Sequence, residues 1–337
     1  VSIAAAVAAV VSALPDLISW RIELCVLFIA LIALANLRGA RESGWLFAGP
    51  TYLFVSIGAL LLGVGVFRAV TGLGPMVSIP PPQLAGPFQG ITIFLIFRAF
   101  ASGCAALTGT EAISNAVQAF KPPEAKNAAT TLVLMGVICI SLFLGISLLA
   151  HHYQILPDPA GHETMVSRLG RAIFGLGPLY YILQFATAMI LVLAANTSFA
   201  GFPRLASILA RDRLAPRQLY SLGDKLVFNN GIILLGAFSA LLVVVFSGSV
   251  HALIQLYLIG VFLSFTLSQA GMVVHWRKLQ NKGWKARAVV NGVGAISTFI
   301  VLCIVGYVKF LHGAWIIVLV IPALVWIISK INLHYLS

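Results

Sequence analysis

The sequence predicts an all-α polytopic membrane protein, and three observations carry that prediction. Of the 337 residues, 60% are hydrophobic and only 9% are charged, where soluble domains carry about 25% charged residues. The mean hydropathy is +1.02. The apolar residues fall in runs of roughly 17–25, the length that crosses a ~30 Å hydrocarbon core, and they are apolar all round instead of along one stripe. Inside lipid every backbone N–H and C=O needs a partner in the chain, which leaves helices or a closed barrel. The alternating short strands of a barrel are not visible.

In chain order there are about ten such segments: 1–14, which is short, then 22–37, 46–67, 91–119, 130–150, 178–200, 229–247, 251–275, 288–310 and 314–331. The chain opens "VSIAAAVAAVVSALP", without an initiator Met or the basic stretch of a signal peptide, and is expected to begin partway through a helix. Two connections are long. "FRAVTGLGPMVSIPPPQLAGPFQG" and "HHYQILPDPAGHETMVSRLGRAIFGLG" both read as irregular surface loops. "FPRLASILARDRLAPRQL" sets Leu205, Ile208, Leu209 and Leu214 at helical spacing among arginines, the pattern of an amphipathic helix lying at the membrane face.

Basic residues fix the orientation. Arg38 and Arg41, Lys121 and Lys126, five residues from Arg204 to Lys225, five from Arg277 to Arg287, and Lys330 alternate with sparse loops holding Arg21, Arg68, Arg168, Arg171 and Lys309. The richer set is cytoplasmic by the positive-inside rule. The C-terminus is therefore expected in the cytoplasm of a cell whose plasma membrane the chain crosses many times. The formal charge of +12 reports this orientation and not nucleic acid, because the basic loops lack interleaved aromatics and any nucleic-acid module.

Cofactor chemistry finds little support. Cys25, Cys104, Cys139 and Cys303 all sit in apolar segments without CxxC spacing and read as small buried hydrophobes. His151, His152 and His162 share a loop with Asp158 and Glu163, but no helical spacing sets them as metal ligands and loop polarity explains them better. An intramembrane enzyme needs a nucleophile with a base, paired acids or a metal at membrane depth. A single deep carboxylate does not supply that.

That carboxylate is Glu111. The run from Gly90 to Ala119 would be about 45 Å long as one helix, too long for the core, and "LTGTEAISN" offers a break at Thr108-Gly109-Thr110. There glycine frees the backbone and two hydroxyls can satisfy groups leaving the helical ladder. The chain has nine acids, and Glu111 alone falls deep within a span. Such a residue costs about 2.5–3.5 kcal/mol to insert and is read by default as an ion or proton site; the alternative is a protonated Glu that hydrogen-bonds between helices or lies nearer the cytoplasmic mouth. Thr108, Thr110 and Glu111 supply the oxygens that hard cations prefer. Arg98, in the same segment, either caps an outer gate or snorkels to the headgroups. Ser264, Ser268 and Gln269, and Asn196, Thr197 and Ser198, are expected to make hydrogen bonds between helices.

"FRAFASGCAALTGTEAISNAVQAFKPPEAKNA", "FPRLASILARD" and "ALIQLYLIGVFLSFTLSQAGM" together resemble the amino acid–polyamine–organocation superfamily, most closely its KimA- and Kup-type potassium importers. The resemblance covers nearly the whole chain and aligns it with helices three to twelve of a twelve-helix protein. It implies a LeuT-like fold, two inverted five-helix repeats plus two helices, truncated at the N-terminus, in a single transmembrane domain. Residues 1–67 would end the first repeat, 90–275 form the second, and 288–331 be two peripheral helices. By the same resemblance Thr108 and Glu111 match sixth-helix potassium ligands and Tyr257 a tenth-helix tyrosine ligand. The ligands of the first helix and of the early third have no counterpart here, nor does a C-terminal cytoplasmic domain through which relatives are expected to dimerise.

The function this implies is secondary active import of potassium, coupled to protons, by alternating access around the broken helix. No cofactor is expected, and the partners are potassium, protons, the lipid bilayer and a second copy in a homodimer. An amino-acid permease is the alternative; it would meet its substrate's carboxylate at a glycine-rich break in the first helix.

Overall fold

The computed structural model describes residues 1–39, 44–80, 92–109, 113, 117, 120–158, 161–220, 228–281 and 283–309, and then 319–323, 325–326 and 328–330. Among these residues the regular structure is helical. The helices are α1 Ser2–Ala13, α2 Arg21–Leu37, α3 Gly44–Val70, α4 Ile93–Gly103, α5 Glu124–His152, α6 Met165–Phe174, α7 Pro178–Arg211, α8 Asn229–Val245, α9 Val250–Leu279 and α10 Trp284–Lys309. Six described stretches are long and apolar enough to cross a membrane: Pro15–Leu37, Phe47–Val70, Glu124–His152, Pro178–Arg211, Val250–Leu279 and Trp284–Val308. The chain is thus a multi-pass helical membrane protein.

By contacts the chain divides into two compact units. One comprises residues 1–85, 135–250 and 326–337, the other 86–134 and 251–325. In the first unit α1 is enclosed. Ala4, Ala6, Val7 and Ala9 have no exposed surface at all, because the run "SIAAAVAAVVSA" keeps every side of the helix small enough for close approach of neighbours. Its main neighbour is α7, with α2 and α6 beside it. Against α7 and the C-terminal end of α5, α3 buries Ile57 and Leu61 in a cluster with Leu149, Leu169, Ile173, Tyr180 and Leu183. Asn36 of α2 donates to Asn196 of α7 at 2.7 Å, one of the interhelical bonds expected for that group.

Three expectations need correction in this unit. Cys139, read as a buried hydrophobe, is exposed. The stretch from His151 to Gly177 is not wholly irregular, since it contains α6. Thr164 caps α6 by accepting from the Ser167 N–H, and the Gly175 N–H closes its last turn on the Arg171 carbonyl. A ten-residue helix is invisible to a window sized for membrane spans, yet Leu169, Ala172 and Ile173 bury one side of it. The basic stretch after residue 200 is also no separate interfacial helix, because α7 runs unbroken through Pro203 to Arg211. The buried side there is not the leucines but Pro203, Ala206, Ser207 and Ala210. Leu205 and Ile208 are exposed.

The second unit packs α4, α9 and α10. Cys104, Leu258, Ile259, Phe262, Val301 and Val305 form its buried cluster. Farther along, Thr266 of α9 donates to Thr298 of α10 at 3.0 Å, while the Gln269 side chain lies against Gly294. Arg287 stands over the Trp276 ring, 4.9 Å from its centre, at a distance typical of cation–π contacts.

Candidate ion-binding site

The segment singled out by Glu111 begins as an ordinary helix. Thr92 caps α4 by accepting from the Leu95 N–H at 3.2 Å. The helix runs to Gly103, tightens into a 3₁₀ turn over Cys104–Leu107 and stops. Thr108 is extended, with φ −73 and ψ 149, and Gly109 has φ +95, a conformation that L residues adopt only with strain. Of the break expected at Thr108-Gly109-Thr110, the first two residues are described and leave the helix, and the helical ladder loosens four residues before Thr108, at Cys104.

What fixes the break is packing and one doubled acceptor. Cys104 is 6% exposed and belongs to the buried cluster of α9 and α10, so the 3₁₀ turn is anchored from behind. The Ala105 carbonyl then accepts both from the Thr108 N–H at 3.2 Å and from its hydroxyl at 2.7 Å. These two hydrogen bonds to one oxygen fix Thr108 at the end of the 3₁₀ turn. They leave the hydroxyl oxygen's own lone pairs for a further donor or a cation.

Tyr257 stands on α9 beside Leu258, a member of the same buried cluster as Cys104, and is 37% exposed. The unit therefore sets Thr108 and Tyr257 on elements that share one cluster. Glu111 and Thr110 lie outside the described residues, as does the side chain of Arg98. Sequence reasoning missed the part of Cys104. It treated the residue as an ordinary buried hydrophobe, and only its place four residues ahead of Thr108 hinted at more.

The histidine-bearing loop is organised differently. Asp158 accepts from the backbone N–H groups of His162 at 2.8 Å and Glu163 at 3.2 Å. Glu163 accepts from Ser167 Oγ and Arg171 Nη2, both at 2.9 Å. Both carboxylates are thus committed to closing the loop onto α6. Among the described residues no three His, Cys, Asp or Glu gather as a metal would require.

Six helices long and apolar enough to cross a membrane, with a further apolar helix whose described part ends at a Thr-Gly pair, define a polytopic membrane protein. The amino acid permease family model matches residues 1–328, and the chain belongs to that family. It is also similar to the potassium transporter KimA of Bacillus subtilis strain 168, at 44% identity over 339 residues, covering 99% of this chain and 54% of that protein. The chain spans about half the length of the curated relative it matches.

Proposed function

We propose that this protein is a secondary transporter that imports potassium, coupled to protons, by alternating access around the break after α4. The observation that carries the reading is that break itself: an anchored 3₁₀ turn, an extended Thr108 and a left-handed Gly109 in the middle of an apolar segment. Glu111, Thr108, Thr110 and Tyr257 supply its ligand oxygens. A carboxylate in a low-dielectric site is neutralised either by a proton or by a cation, so exchange of one for the other at Glu111 couples the two ions. The likeness to a relative named a potassium transporter favours potassium.

The surrounding arrangement follows the resemblance. Residues 1–67 end a first five-helix repeat, 90–275 form a second, and 288–331 are two peripheral helices of one LeuT-like domain. The C-terminus is cytoplasmic, the membrane is the plasma membrane, and the working form is a homodimer.

The family description, amino acid permease, favours a second reading in which an amino acid is the cargo. One experiment separates the two. The protein is reconstituted in liposomes, and potassium uptake and labelled amino-acid uptake are measured with and without an imposed proton gradient, for wild type and Glu111→Gln. Gradient-dependent potassium uptake that is lost in the variant is the expected result. Potassium uptake and proton dependence that are both unchanged in Glu111→Gln overturn the site, and amino-acid uptake in place of potassium overturns the cargo.

A further inference from the structure

The end of α7 carries a basic and apolar surface that includes none of the candidate site residues. From Arg204 to Arg217 the chain holds four arginines and a single acid, Asp212. One side of the helix is closed, since Pro203, Ala206, Ser207 and Ala210 are buried and Pro203 meets Gly231 of α8. On the other side Leu205 and Ile208 are 57% and 54% exposed. Arg204, Ile208 and Arg211 follow at i, i+4 and i+7, so they lie on one face, with the two arginines about 10 Å apart along the axis. Both arginines are exposed.

This combination selects its partner. Bare leucine and isoleucine are poorly suited to water, and at the end of a membrane helix they meet acyl chains. Guanidinium forks on either side match the bidentate geometry of phosphate oxygens. A second copy of this chain is disfavoured here, because a two-fold contact sets a patch against itself and would oppose arginine with arginine. Arg213 adds one more positive charge just past the helix. It sits at φ 61, where the Leu214 N–H returns to the Leu209 carbonyl at 2.8 Å and the Arg213 N–H to Ala210 at 3.2 Å, a closure that usually carries glycine.

We propose that this face of α7 is a binding site for an anionic phospholipid, its phosphate held between Arg204 and Arg211 and its acyl chains lying on Leu205 and Ile208. The test uses the full chain in detergent, titrated with phosphatidylglycerol or phosphatidylcholine and read by native mass spectrometry. Expected are tighter phosphatidylglycerol binding than phosphatidylcholine binding, and phosphatidylglycerol affinity about thirtyfold lower in R204Q/R211Q, from the attraction typical of two basic residues at a charged membrane surface. R204K/R211K should restore most of that affinity. Should the glutamine variant not fold, wild-type phosphatidylglycerol binding must still weaken with added salt. Equal affinity for the two lipids overturns the proposal, as does unchanged phosphatidylglycerol binding in a folded R204Q/R211Q. A change from dimer to monomer in that variant with lipid binding intact also overturns it, and assigns the face to a second copy.

Discussion

Replacing Tyr180 with Phe removes one oxygen and keeps the ring, and the structure places that oxygen at a junction. The hydroxyl donates to the Ser12 carbonyl at 2.9 Å and lies 2.7 Å from Ser167 Oγ, joining α1, α6 and α7. All three residues are buried: Tyr180 is 2% exposed, Ser167 0% and Ser12 8%. Ser167 keeps Glu163 as a partner, so the loss falls mainly on the Ser12 carbonyl, in the last turn of α1 where no helical N–H follows. A buried acceptor left without a donor costs about 1–3 kcal/mol, whereas hydrogen bonds between membrane helices average about 0.6 and reach about 1.7 kcal/mol. The two ranges bracket an expected destabilisation of about 1–2 kcal/mol. Reversible unfolding by sodium dodecyl sulfate in bicelles measures it, with Tyr181→Phe as control. Tyr181 is 48% exposed and its ring meets that of Tyr180 edge-on at 5.3 Å, so that change should stay within about 0.5 kcal/mol. A cost for Tyr180→Phe no larger than for Tyr181→Phe refutes the reasoning.

Three further substitutions probe the packing and the break. Gly231→Ala places a methyl 2.9 Å from Pro203 Cβ and 3.0 Å from its Cα, where backbone cannot yield, and should cost about 1–3 kcal/mol in the same unfolding assay. Gly109→Ala meets nothing within 4 Å but inherits φ +95, so its cost of about 1–2 kcal/mol is conformational. It should lower potassium uptake in liposomes while leaving the helical circular dichroism unchanged. Asn36→Ala removes the bond to Asn196 and should cost about 0.6–1.7 kcal/mol, with no additional loss when Asn196 is also changed to Ala.

The helices were legible because hydropathy is read over the same length that a membrane imposes. The position of the break was legible too, since an over-long run with Thr108-Gly109 at its middle has few other ways to fit. What the sequence hid is set by contacts distant along the chain. The ten residues of α6 are amphipathic on a scale too short for a span. Their helical state depends on Thr164 as cap and on Leu169 and Ile173 meeting α3 and α7. At the end of α7 the leucines marked an amphipathic helix at the membrane face, but they did not show that alanine and serine would form a buried side there, where Pro203 lies tight on Gly231. Small residues can be core where helices touch closely, and hydrophobicity alone does not reveal that. For the candidate site, the residue pattern nominated Thr108, Thr110 and Glu111 and the family resemblance Tyr257, while the anchoring of the turn by Cys104 became visible only with α9 and α10 in place.

The enclosure of α1 also sets a timetable. Its last turn is closed by a residue 168 positions later, Tyr180, so at ordinary synthesis rates of about 5–20 residues per second it waits on the order of ten to thirty seconds for that partner. Throughout that interval the side destined for α7 is open to whatever surrounds the nascent chain. Alanine suits the wait: it presents too little apolar surface to hold a wrong partner, and it offers no polar side chain for one to satisfy. The residues that let α1 fit so closely at the end are thus the same ones that keep it uncommitted until α7 arrives.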